Sequence, residues 1–101
     1  MAEISNPGAR VRVVFLASLY EASGRRREVE VEVPSGTTVV ELAKLLEDLI
    51  PGLRGRLVEG DSIAEGVEVL VNGRNIEWLD GPATKLRGGE VVVFFPPAAG
   101  G

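Results

Sequence analysis

The stretch Glu28-Val29-Glu30-Val31-Glu32-Val33-Pro34-Ser35-Gly36-Thr37-Thr38-Val39-Val40-Glu41 contains the change of period that decides the fold. From Glu28 to Val33 glutamate and valine alternate strictly, which describes a β-strand with one wet face. Pro34-Ser35-Gly36 stops it. Thr38 then stands three residues before Glu41, the spacing of a capping box, in which each side chain satisfies a backbone N–H at the start of a helix. Behind it Val39, Leu42, Leu45, Leu46 and Leu49 recur at helical spacing. Pro51-Gly52 ends that run.

Before this stretch, residues 11–19 are apolar and β-branched, so they read as a strand. Gly24 with Arg25-Arg26-Arg27 supplies a turn, and the first two strands form a hairpin. Residues 1–9 are polar and contain Pro7 and Gly8, which reads as a loose lead-in. After the helix, residues 53–57 suggest a short turn and 59–66 an acidic loop. Residues 67–71 read as a third strand, followed by the hairpin signal Asn72-Gly73. Residues 76–79 read as a short fourth strand, broken by Asp80-Gly81-Pro82. Gly88-Gly89 precedes a last strand at 91–95, which Pro96-Pro97 terminates because proline cannot donate to a ladder. The order β, β, α, β, β, β has one helix, enough for one face of a sheet. It predicts a two-layer α+β domain, with a mixed sheet of four to five strands packed on one main helix. The strand after the helical crossover is expected to return beside the first hairpin. Three segments follow: lead-in 1–9, folded domain 10–95 and tail 96–101.

Composition narrows the chemistry. The 101 residues carry a net charge of −4, against the basic surface that nucleic acid requires. Cysteine and histidine are both absent. Disulfides, the usual zinc ligand sets and a Ser-His-Asp triad are therefore excluded. No apolar run approaches the ~20 residues that span a bilayer, and the first ten residues lack a signal-peptide core. The chain reads as a cytoplasmic protein that binds neither nucleic acid nor membrane.

The tail is the most distinctive chemical feature. Pro96-Pro97-Ala98-Ala99-Gly100-Gly101 has no large or charged side chain. Extended at ~3.1–3.5 Å per residue, it would reach roughly 19–21 Å, enough to enter a neighbouring protein's active site. Glycine suits a narrow channel and leaves the terminal acyl carbon unhindered. A carboxylate must be activated before it reacts, usually as a mixed anhydride with AMP. No phosphate-binding G-x-x-x-x-G-K-[ST] loop is present, so ATP and its Mg²⁺ belong on another protein. This chain is then the substrate and binds no cofactor or metal itself.

Phe94-Phe95-Pro96-Pro97-Ala98-Ala99-Gly100-Gly101 resembles the FFPPVAGG-type ending of the MoaD family, the small subunit of molybdopterin synthase. Residues 13–21 are similar to that family's opening strand and F-A-x-x-R-E segment. Val71-Asn72-Gly73-Arg74-Asn75-Ile76 and Leu86-Arg87-Gly88-Gly89-Glu90-Val91 resemble its V-N-G and L-x-D-G-D-E-V stretches, with departures at Tyr20, Gly88 and Val91. The resemblance spans residues 11–101 and implies the β-grasp fold of ubiquitin. It also implies a sulfur carrier: an E1-like (MoeB-like) enzyme adenylates Gly101, and a sulfur donor converts it to a thiocarboxylate. The tail then enters a MoaE-like large subunit and gives sulfur to cyclic pyranopterin monophosphate. Gly100, Ala99 and Ala98 would allow passage, and Pro97 and Pro96 would stiffen the exit. Two alternatives use the same tail: a modifier of the small archaeal (SAMP) type joined to lysines, and a ThiS-like carrier for thiazole synthesis.

Strand parity gives a separate expectation. Val11, Val13 and Phe15 share one face with the helix, as do Val92 and Phe94. Val14, Leu16, Leu70, Val93 and Phe95 would then form an apolar patch on the open face, the kind of patch that marks a partner interface. The row Glu28, Glu30, Glu32 reads as a solvated face and the arginine run as a wet turn. Trp78 reads as a packing residue. Glu59, Asp61 and Glu65 offer carboxylates, but in a loop. Lys44 and Lys85 are the chain's side-chain amines.

Overall fold

The structure, a computed structural model, describes residues 8–96. The alternating segment forms β2 (Glu28–Pro34), which lies antiparallel to β1 (Gly8–Phe15) with Val13 opposite Val29 and Arg12 opposite Glu30. Between them sits a short helix, α1 (Ser18–Ala22). The main helix α2 (Val39–Leu49) begins with the expected capping box. Glu41 N–H donates to Thr38 Oγ1 at 3.2 Å, and Thr38 N–H donates to Glu41 Oε1 at 2.9 Å. Two small strands, β3 (Val58–Glu59) and β4 (Ser62–Ile63), pair with each other. Then come β5 (Glu68–Val71), β6 (Arg74–Asn75) and β7 (Val91–Phe95). The five-stranded sheet has the order β2-β1-β7-β5-β6, with β7 parallel to β1 and the other pairs antiparallel. This mixed sheet carrying one main helix is the β-grasp arrangement.

The core lies between α2 and one face of the sheet. Val39, Leu42, Ala43 and Leu46 of the helix are fully buried against Val11, Val13, Phe15, Val69, Val92 and Phe94. Burying each large side chain contributes about 1.5–3 kcal/mol before chain entropy is counted.

Five local expectations differ from the structure. β1 begins at Gly8 and buries Ala9 in the core, so the ordered domain takes in the end of the lead-in expected at 1–9. β1 stops at Phe15 instead of continuing to residue 19, because Ala17 takes φ 55° and turns the chain into α1. The strand after the crossover, β5, lies one place away from the hairpin, and β7 fills the gap between them. β7 takes that place by pairing in parallel with Arg12, Val13, Val14 and Phe15, which sets the Phe94 ring against Phe15 in the core. Residues 76–79 begin as a 3₁₀ turn (Ile76–Trp78) in which Ile76 enters the core and Trp78 is left 81% exposed. Trp78 is therefore not a packing residue. The acidic loop at 59–66 is partly ordered by the β3–β4 hairpin.

Candidate functional site

β7 leads to the tail, and its surroundings fix how the chain leaves the domain. The strand is held on both edges, by Arg12, Val13, Val14 and Phe15 of β1 and by Glu68, Val69, Leu70 and Val71 of β5. Its entry is set by two devices. Asn72 occupies the first position of a tight turn, with φ 51° there and 84° at Gly73, the pair of left-handed residues that a two-residue hairpin needs. From that position Asn72 Oδ1 accepts Val91 N–H at 2.9 Å, while Asn72 N–H donates to Val91 C=O at 2.9 Å. Glu90 folds its carboxylate back onto the N–H groups of Arg87 and Gly88, both at 2.8 Å. At the other end Leu16 N–H donates to Phe94 C=O at 3.1 Å. In the sequence Asn72 signals only a turn, and Glu90 stands only as part of a motif. Their positioning roles depend on contacts up to 19 residues away, which no local pattern carries.

Pro96 is the last described residue and is half-buried. Pro97, Ala98, Ala99, Gly100 and Gly101 lie outside the described residues, as does most of the lead-in.

The sheet's open face collects the five apolar residues expected there. Val14 stands opposite Val93, and Val93 stands opposite Leu70. Phe95 pairs with Glu68, and Leu16 follows the last residue of β1 with its N–H on the Phe94 carbonyl. Val14, Leu70, Val93 and Phe95 are half-buried and Leu16 is 43% exposed, so no element of the described chain covers the patch. Its border is polar. Arg12 Nε meets Glu28 at 3.1 Å, and Asn75 Nδ2 donates to Glu68 Oε1 at 2.7 Å. The patch runs up to Phe95, the last residue of β7.

The other candidate side chains are not assembled into a centre. Lys44 Nζ reaches Asp61 Oδ1 at 3.1 Å, and Glu59 Oε1 accepts Glu65 N–H at 3.4 Å. Among the described residues no three acidic groups are placed to hold a metal ion. No helix among them is long and apolar enough to cross a membrane. The Glu47 carboxyl lies below its ordinary range. Burial raises it, but the backbone N–H groups of Leu57, Gly55, Val58 and Arg56 outweigh burial and hold it below the usual value. Leu57 and Val58 donate at 2.8 and 2.9 Å. That carboxylate ties α2 to the following loop and is far from β7 in the chain.

A β-grasp sheet with one helix, an uncovered apolar face and a central last strand feeding a Gly-Gly tail defines a ubiquitin-like carrier. The chain belongs to the ThiS family, whose model matches residues 13–101. That family consists of small ubiquitin-like sulfur carriers and modifiers, which serve other enzymes rather than catalyse alone. The small archaeal modifier protein 3 of Haloferax volcanii is 40% identical over 87 residues, covering 86% of this chain and 94% of the relative. The solution structure of the Haloferax volcanii HVO 2177 protein aligns with a TM-score of 0.84 at 35% identity, covering 100% of this chain and 94% of that one. A putative molybdopterin converting factor subunit 1 of Pyrococcus furiosus aligns with a TM-score of 0.73 at 26% identity, over 89% of this chain and 99% of that one.

Proposed function

We propose that this chain is a ubiquitin-like protein modifier whose reacting group is the Gly101 carboxylate. The observation that carries this reading is the 40% identity to a small archaeal modifier protein along almost its whole length. In the first step the carboxylate attacks the α-phosphate of ATP held by an E1-like enzyme, and pyrophosphate leaves. The acyl-adenylate is then open to a lysine amine of a target protein: the amine forms the isopeptide bond, a proton is released and AMP departs. The chain's own part is positional. Asn72 and Glu90 fix the start of β7, the sheet holds its length, and the open-face patch offers the E1-like enzyme a grip beside the exit. ATP and Mg²⁺ stay with that enzyme.

A second reading keeps the same activated tail and changes the nucleophile. Sulfur from a donor displaces AMP to give a thiocarboxylate, which a MoaE-like large subunit uses to build the dithiolene of molybdopterin. The Phe94-Phe95-Pro96-Pro97 run and the similarity to the Pyrococcus furiosus protein favour it over a thiazole pathway.

The readings separate in one experiment. Trypsin cutting after Arg87 leaves residues 88–101 attached to any modified lysine. The modifier reading expects that branched remnant on lysines of other proteins in cells making the chain, and its disappearance when Gly101 is deleted. Only free chain, heavier by about 16 Da from replacement of oxygen by sulfur at the activated acyl carbon, gives the sulfur-carrier reading. Neither product in cells holding an E1-like enzyme contradicts both.

A further inference from the structure

Among the described residues β1 alone pairs with β2, which makes β2 an edge of the sheet. Phe15 N–H donates to Arg27 C=O at 3.0 Å, which sets the phase of the ladder. In an antiparallel pair the bonded positions alternate. Hence Val29, Val31 and Val33 turn their backbone groups toward β1, and Glu28, Glu30 and Glu32 turn theirs out of the sheet. Among the described residues these three outward N–H groups have no backbone partner. Such an edge is a template for another extended strand.

Beside the edge lies a groove of about 310 Å³ between β2 and α2, lined by Val29, Glu30, Val31, Leu46, Leu49 and Ile50, together with Arg26. Leu49 belongs to the apolar stripe of α2 yet is 57% exposed. A strand added to β2 would send alternate side chains to the helix side, into this groove. The intervening ones would stand on the other side, next to Glu28, Glu30 and Glu32. On that side Arg12 binds Glu28 at 3.1 Å and Arg10 approaches Glu32 at 4.0 Å, whereas Glu30 has no ion pair among the described residues. The row keeps a net negative charge. A second copy of this chain docking β2 to β2 would set two glutamate rows side by side, which like-charge repulsion disfavours.

We propose that the free edge of β2 and the β2–α2 groove form a docking site for an extended segment of a partner protein, with aliphatic side chains at alternate positions and Lys or Arg between them. Backbone bonds to Glu28, Glu30 and Glu32 supply affinity, the groove selects the aliphatic positions, and Glu30 selects the basic one. β1 stands between this site and β7, the strand that precedes the tail, so a protein that docks on β2 need not contact β7.

The test is an NMR titration of the full chain with the capped peptide Lys-Val-Lys-Ile-Lys-Val. Shifts should concentrate in the amides of residues 28–32 and the methyl groups of Val29, Val31, Leu46 and Leu49, with slowed hydrogen exchange at the Glu30 amide. Leu49→Asn, at an exposed position that leaves the core intact, should weaken binding at least tenfold. Glu30→Gln should weaken it several-fold. The same peptide N-methylated at alternate residues, so that it cannot pair with β2, should bind at least tenfold less tightly. Shifts centred elsewhere, or undiminished binding of the N-methylated peptide, would overturn the proposal. So would a concentration-dependent dimer of the free chain that Leu49→Asn abolishes, because the edge would then belong to a second copy.

Discussion

The ring of Phe94 packs against the ring of Phe15 with centroids 6.1 Å apart and planes inclined by 32°. This inward contact between parallel neighbours β1 and β7 fixes the parity of the last strand. Phe94 is fully buried, so the next residue, Phe95, must face the open side. Two adjacent phenylalanines therefore have different jobs. Phe94→Ala should cost about 3–5 kcal/mol, the usual loss for a large buried aromatic, read as a fall in denaturation midpoint. Phe95→Ala should cost about 1 kcal/mol, since the side chain is only half-buried, and should raise the KM of the E1-like enzyme for the chain. Equal stability losses would contradict the parity.

The Glu47 carboxylate predicts a pH dependence. Its folded value lies below the ordinary 4.5, so the stabilisation is complete above that value and is lost as pH falls through the folded one. The group is partly solvated, which reduces its contribution to about 1 kcal/mol. Urea midpoints of Glu47→Gln should lie below the wild-type ones at neutral pH and converge with them in acid. A constant gap across pH would remove the carboxylate from the account.

Ala17 has φ 55° and ψ −132°, a region that glycine enters without a Cβ penalty. Ala17→Gly should therefore stabilise the chain or leave it unchanged, by up to about 1 kcal/mol, despite glycine's greater unfolded-state entropy. Thermal melts that place Ala17→Gly well below wild type would show that the turn into α1 is not strained.

Gly52 makes the opposite prediction. A Cβ at this position would collide with the Ala22 carbonyl oxygen, where α1 meets the Pro51–Leu53 turn. Gly52→Ala must displace backbone, and a loss of more than about 2 kcal/mol is expected from such overpacking. A neutral effect in the same melts would mean that α1 and this turn are not in contact.

These residues also mark what a linear reading reaches. The capping box at Thr38 and Glu41, the alternation of β2 and the inward parity of Val13, Phe15, Val92 and Phe94 are local patterns, and the structure follows them. Gly52 was legible as a helix stop, but the Ala22 carbonyl that demands a glycine is thirty residues distant. The insertion of β7 beside β1 depends on pairing between segments at opposite ends of the chain, which no single segment reveals. Trp78 lies in a segment with a strand-like pattern, but a 3₁₀ turn there sends Ile76 into the core and leaves Trp78 exposed. The apolar patch could be assembled from parity alone, since Val14, Val93 and Leu70 needed only correct facing. The Gly-Gly ending suggested the proposed chemistry, while the family match over residues 13–101 identified the class.

The central claim is that an E1-like enzyme activates the carboxylate of Gly101, whatever nucleophile follows. The most direct measurement is the intact mass of the chain after incubation with such an enzyme, Mg-ATP and hydroxylamine, which displaces AMP from an acyl-adenylate. The account predicts a gain of about 15 Da, the conversion of an activated acyl group to a hydroxamate, located on residues 88–101 and absent without ATP or when Gly101 is deleted. An unchanged mass with an enzyme that activates a related carrier in the same buffer would contradict it.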